Sequence, residues 1–184
     1  MTAPLATAVN TTAVGHAWAA ASAVADPELP VVTIGDLGIV RGIDIDADGC
    51  VHVVLTPTYS GCPATAVIRH DVVSALQDAG FDHVEVRTEL APAWTTDWIT
   101  EDGRRKLAEH GIVPPSAVRS VQSGASTGHS GASTGQRVEV ALAMRCPRCG
   151  SPDTLLVSRF GSTACQAMYR CTSCLEPFDA VKPY

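Results

Sequence analysis

At 184 residues, with 46% hydrophobic and 17% charged side chains, the chain has the composition of a folded protein holding one ordinary domain and a small module. Its formal net charge of −6 is uneven: residues 1–118 sum to −9, residues 119–137 to +2 and residues 138–184 to +1. The larger part would repel a phosphate backbone and the remainder is nearly neutral, which argues against nucleic acid as a partner. The Ala-rich opening MTAPLATAVNTTAVGHAWAAASAVA lacks the basic start and compact apolar centre of a secretory signal, and no run of about 18 apolar residues occurs. A cytoplasmic protein without a membrane attachment is expected.

The first predicted element is a helix over VGHAWAAASAVADPELP, stopped at Asp26-Pro27 because proline disfavours helical geometry in the residue before it. After a loop, LGIVRGIDID and CVHVVLTPT read as a hairpin turning at Asp46-Ala47-Asp48-Gly49, with Ile43, Ile45, Val51, Val53 and Leu55 on the buried face. Between Pro63 and Ala79, Ile68, Val72, Ala75, Leu76 and Ala79 repeat at helical spacing, and Gly80 supplies a stop. HVEVRTEL reads as a third strand with Val84 and Val86 inward, and TTDWITEDGRRKLAEH as a partly helical closing segment weakened by Gly103. This order predicts an α+β domain over 1–118, a small sheet with helices on one face. The hexapeptide SGASTG then occurs twice around His129, so residues 119–137 are expected to be a flexible linker with His129 a solvated spacer. In 138–184, LLVSRF, QAMYRC and PFDAVK read as three strands of a small all-β ribbon.

Seven cysteines make an odd total, and four of them form two Cys-x-x-Cys knuckles, a pattern that favours metal over disulfides in a reducing compartment. Cys146, Cys149, Cys171 and Cys174 have the spacing of a four-cysteine zinc site, structural because four thiolates leave no open position. A module of this size depends on such a metal for its folding. Cys165 can replace one ligand or join a cluster, so an iron–sulfur centre on five thiols stays open. A thioredoxin-type redox pair is disfavoured because neither knuckle opens a helix in a βαβ unit.

Cys62, in LTPTYSGCPATAVIRHDVV, stands at a strand-to-helix junction before Pro63, which is expected at the first helical position. Free amides and the helix dipole would lower its pKa and ready it as a metal or thioester ligand, or it is an inert packed thiol; both readings stand. Asp26 and Glu28 can supply carboxylate ligands or belong to a solvent-facing turn. Thr56, Thr58 and Tyr59 can bond a substrate near Cys62 or merely turn the chain at Pro57. His70 lies too far along the helix to share a site with Cys62. Cys50 reads as structural, and Trp94 and Trp98 as core or protein-facing aromatics.

DPELPVVTIGDLGIV followed by LTPTYSGCPA resembles the small iron–sulfur assembly domain of SufT-like proteins. APAWTTDWITEDGRRKLAEHGIVPP, with CPRCGSPDTLLVSRFGSTACQAMYRCTSCLEPFDAVKP, resembles the PaaD family, associated with the multicomponent phenylacetyl-CoA epoxidase of phenylacetate degradation. The resemblance implies that Cys62 is the reactive cysteine, handling iron or an iron–sulfur cluster transiently with Asp26, Glu28 and Thr58 beside it. It implies too that Cys146, Cys149, Cys171 and Cys174 hold metal, with Cys165 open as a further ligand. The implied role is accessory: maturation of the oxygenase, with its oxygenase or reductase subunits as partners and a homodimer also open. The alternative is a non-catalytic structural subunit acting only through contacts. The chain has neither the Glu-x-x-His pairs of a di-iron bundle nor a dinucleotide-binding glycine loop, so it is not expected to be the enzyme.

Overall fold

The computed structural model describes residues 5–115 and 144–182. The expected linker over 119–137, with His129, lies outside the described residues.

Helix α1 (Leu5–Ser22) lays Ala17 and Ala21, both fully buried, against the sheet. It ends four residues earlier than the expected stop at Asp26-Pro27. Gly35 runs hard against Ser22, where a Cβ would stand 2.6 Å from the Ser22 Cβ, and its N–H donates to the Ser22 carbonyl at 3.2 Å. The chain then pairs with itself: Ile34 N–H donates to Val24 O at 2.9 Å and Asp26 N–H to Val32 O at 3.0 Å. Tertiary pairing therefore ends the helix before proline can.

Strands β1 (Val40–Ile45) and β2 (Val51–Leu55) form the expected antiparallel hairpin, with Ile43 opposite Val53 and Ile45 opposite Val51. Asp46 Oδ1 accepts from the amides of Asp48 and Cys50 at the turn, and Gly49 takes the left-handed φ of 85°. Helix α2 (Thr65–Asp78) buries Ile68, Val72 and Leu76, and Gly80 follows with φ of 92°. The helix is a crossover, so β3 (Val84–Thr88) returns parallel to β2, giving the order β1-β2-β3. Val51, Val53 and Leu55 of the central strand form one core with Ala17, Ala21 and the buried face of α2.

A 3₁₀ turn (Thr96–Trp98) leads into α3 (Glu101–Glu109), capped by Thr100 Oγ1 accepting from Gly103 N–H at 3.0 Å. Gly103 is not a weak point. A Cβ there would stand 2.8 Å from the Asp36 carbonyl oxygen, so glycine is what lets α3 dock. Lys106 Nζ fastens the same contact by donating to Asp36 Oδ2 at 2.8 Å.

The second part is a three-stranded antiparallel sheet, β4 (Thr154–Ser158), β5 (Gln166–Cys171) and β6 (Pro177–Val181), in that order. Its core is Met144, Cys146, Cys171, Phe178 and Ala180. The two parts are packed together. Val113 N–H donates to Asp179 O at 2.9 Å and Val181 N–H to Val113 O at 3.0 Å, while Cys165 and Val181 enter the core of the first domain.

Candidate metal centres

The knuckles of the ribbon bring Cys146, Cys149, Cys171 and Cys174 together with all four sulfurs within 4.8 Å of one another. The Cys146–Cys174 and Cys149–Cys171 separations are both 3.6 Å. A tetrahedral ion with metal–sulfur bonds of about 2.3 Å needs sulfurs about 3.8 Å apart, so the four thiols fit one. The backbone supports the charge as well. The Cys174 amide, 3.5 Å from Cys171 Sγ, and the Ser173 amide hold the Cys171 thiol down to about 6. Cys165 does not join this cluster.

The second site is built around the turn between β2 and α2. Cys62 N–H donates to Tyr59 O at 3.2 Å, and the Cys62 carbonyl accepts from Thr65 Oγ1 at 2.9 Å and from Thr65 N–H at 3.3 Å. The helix therefore opens at Thr65, and Pro63 stands before it rather than at its first position. On the facing loop, Asp26 Oδ1 accepts from the amides of Glu28 and Leu29 at 2.9 and 2.8 Å, the turn that Asp-Pro-Glu encodes. Asp26 is only 6% exposed, so the solvent-facing alternative does not hold for it. Asp26, Glu28, Thr58, Cys62 and Cys165 line one nearly closed cavity, walled by Leu29, Ile39 and Trp94.

The electrostatics of this cavity differ from the sequence expectation. Burial pushes the Cys62 thiol up; the Ala64 amide and Thr65 hydroxyl oppose it, and the Glu28 and Asp26 charges reinforce it. The helix-start argument for a lowered thiol fails because the sulfur is half-buried among acids before the first helical turn. Asp26 is likewise raised by burial, against the Leu29 and Glu28 amides, and Glu28 by burial and the Asp26 charge. Among the described residues, no Lys, Arg or His lines the cavity. An arrangement that makes every acid reluctant to ionise is one that a divalent cation would relieve.

The remaining candidates separate from this site. His70 lines an exposed groove over β3 with His52. Trp94 is core, 4% exposed, its indole donating to Leu37 O at 2.8 Å, and Trp98 lies beneath the Arg41 guanidinium at 3.5 Å. Cys50 is not isolated: its thiol stands within 4.8 Å of Asp46 and His52 at the hairpin tip. The turn signature Asp-Ala-Asp-Gly is the only sequence trace of that triad. His52 is already held there by Asp46 at 3.0 Å and Glu85 at 3.3 Å.

Residues 16–87 match the model of the iron–sulfur cluster assembly protein family, and residues 130–182 match the PaaD zinc beta ribbon domain. An Escherichia coli (strain K12) protein, provisionally named as a subunit of 1,2-phenylacetyl-CoA epoxidase, is 47% identical over 165 residues, 90% of each chain. An Fe-S protein maturation auxiliary factor of Bacillus subtilis (strain 168) is 41% identical over 75 residues, 40% of this chain and 72% of its own. Among solved structures, a domain of unknown function, DUF59, from Bacillus anthracis covers 55% of this chain and 96% of its own, with a TM-score of 0.52 and 26% identity. The α+β domain and the ribbon are thus both matched, and by its identity to the Escherichia coli protein across nearly its whole length the chain belongs to the PaaD family.

Proposed function

We propose that this chain is a non-catalytic, cytoplasmic accessory factor that assists iron or iron–sulfur loading of a phenylacetyl-CoA epoxidase. Cys62, Asp26, Glu28 and Thr58 handle the metal transiently, and Cys146, Cys149, Cys171 and Cys174 hold a structural zinc. The observation that carries this reading is that one thiol from the β2–α2 turn and two carboxylates from the Asp-Pro-Glu loop line one cavity, with no cationic side chain lining it among the described residues. The relatives' names support it: one is provisionally named as an epoxidase subunit and another is named as an Fe-S protein maturation auxiliary factor. The cargo is iron. In this chain the thiol and carboxylates must give up protons to take it, and recover them on release.

A second reading, a purely structural subunit, draws on a different observation. The ribbon exposes Leu155 at 62%, Val157 at 58% and Phe160 at 70%, an apolar surface suited to a protein partner. Either role can use that surface, but only the first needs Cys62. Co-expression of the oxygenase with wild-type chain or with Cys62→Ala decides between them: iron-deficient oxygenase with the variant supports loading, and fully loaded, fully active oxygenase leaves the structural reading in front.

A further inference from the structure

The tip of the β1–β2 hairpin carries more chemistry than its turn requires. Asp46 Oδ1 accepts from the amides of Asp48 and Cys50 at 3.0 and 2.9 Å, Gly49 N–H donates to Asp46 O at 3.2 Å, and Asp46 N–H donates to Cys50 O at 3.1 Å. These bonds complete the turn, and none of them uses the Cys50 thiol, the His52 ring or Asp46 Oδ2. Cys50 and His52 stand two positions apart at the entry to β2, so both side chains leave the face of the sheet opposite buried Val51 and Val53. There Asp46 Oδ2 lies 3.0 Å from His52 Nε2, and a carboxylate oxygen of Asp46, a ring nitrogen of His52 and the Cys50 sulfur all fall within 4.8 Å of one another. Among the described residues, only the four-cysteine cluster of the ribbon gathers its donors as closely.

An ion pair between Asp46 and a protonated His52 would account for two of the three groups. It leaves out the thiol and the far side of the ring. His52 Nδ1 lies 3.3 Å from Oε2 of Glu85, its cross-strand partner on β3. A carboxylate on Nδ1 turns the lone pair of Nε2 toward the cluster, the arrangement found behind metal-bound histidines. Nε2 and Asp46 Oδ2 then meet as two acceptors, and a cation has to lie between them. Zinc bonds of about 2.0–2.1 Å to nitrogen and oxygen and about 2.3 Å to sulfur place such donors roughly 3.3–3.6 Å apart in a tetrahedron. Side-chain rotation alone reaches that spacing, since the His52 and Asp46 side chains are 34% and 38% exposed and free to adjust.

We infer that Asp46, Cys50 and His52 form a zinc(II) site at the hairpin tip, separate from the ribbon cluster and from the Cys62 cavity, with Glu85 as the positioning residue behind His52. One oxygen, one nitrogen and one sulfur donor suit a divalent ion of borderline softness. Three protein ligands leave a fourth position open to solvent, so this ion exchanges with solution, whereas four thiolates enclose the ribbon's.

The test uses the full chain carrying Cys62→Ala, purified with its ribbon zinc and titrated anaerobically with cobalt(II), whose thiolate charge-transfer absorption reports sulfur ligands. One cobalt beyond the zinc should bind, with the absorption of a single thiolate, and added zinc(II) should displace it. Adding Cys50→Ser should erase that absorption, and Cys50→Ser or His52→Asn should each lower the affinity more than tenfold. Glu85→Ala should weaken binding by about tenfold and keep the absorption, as loss of a group behind a metal-bound histidine does. Retained ribbon zinc shows in each case that the chain still folds. Absence of a further cobalt ion, or binding undiminished by Cys50→Ser and His52→Asn, would overturn the site. With Cys62 already replaced, neither result bears on the role of Cys62.

Discussion

In the ribbon, four donors of one kind stand within 4.8 Å of each other; backbone amides hold the Cys146 and Cys171 thiols down, while the neighbouring thiols push Cys149 and Cys174 up. Around Cys62 the donors are mixed, come from separate stretches of chain, and are each pushed toward the protonated form by burial and by one another. On the proposed function, the first site keeps its ion as part of the ribbon fold and the second takes metal and releases it. The same element, cysteine at a turn, serves both purposes because its surroundings differ.

Breaking the ribbon site has the largest expected effect. Cys146→Ser or Cys174→Ser should unfold the ribbon and release about one zinc per chain, since a structural zinc contributes on the order of 10 kcal/mol to folding in small modules. Metal analysis and the loss of ribbon resonances would show it, and the first domain should stay folded. Next comes Trp94→Ala, which removes a buried indole from the wall of the Cys62 cavity and takes a donor from the Leu37 carbonyl. A loss of about 3–5 kcal/mol is expected in denaturant unfolding, with the ribbon zinc retained. Gly103→Ala should cost about 1–3 kcal/mol by driving a methyl group into the Asp36 carbonyl, and would show that α3 docks by contact rather than by propensity.

The smallest effect has the opposite sign. Because the folded pKa of Asp26 is raised, the ion-free chain is favoured at and below the ordinary carboxylate value of 3.8 and loses stability as pH rises through the folded value. Asp26→Asn keeps an oxygen for the amides of Glu28 and Leu29 and removes the charge. It should stabilise the ion-free protein near neutral pH by roughly 0.5–2 kcal/mol and flatten this part of the pH profile, while weakening iron binding. A variant that is destabilised and binds iron as before would remove the contrast between the two sites.

What is legible in the sequence follows the range of each interaction. The knuckles, the hairpin around Asp46 to Gly49 and the buried stripe Ile68, Val72, Leu76 depend on neighbours a few positions away, and all are readable. The parallel return of β3 is not, because its pairing with β2 depends on how α2 crosses the sheet. Gly103 reads as weakness for a similar reason: the Asp36 carbonyl it accommodates lies far away in the chain. Cys165 shows the same limit at the site itself. Spacing sets it beside the knuckles, whereas docking of the two parts places it against Glu28 and in the cavity of Cys62.

The most direct measurement is transfer. Wild-type chain loaded anaerobically with isotopically labelled iron(II) is mixed with iron-depleted oxygenase, the proteins are separated, and label and zinc are counted in each. Labelled iron should move to the oxygenase while zinc stays with the chain, and Cys62→Ala should deliver no more label than free iron does. Label retained by the wild-type chain, or delivered equally by Cys62→Ala, would contradict a metal-handling role for this site.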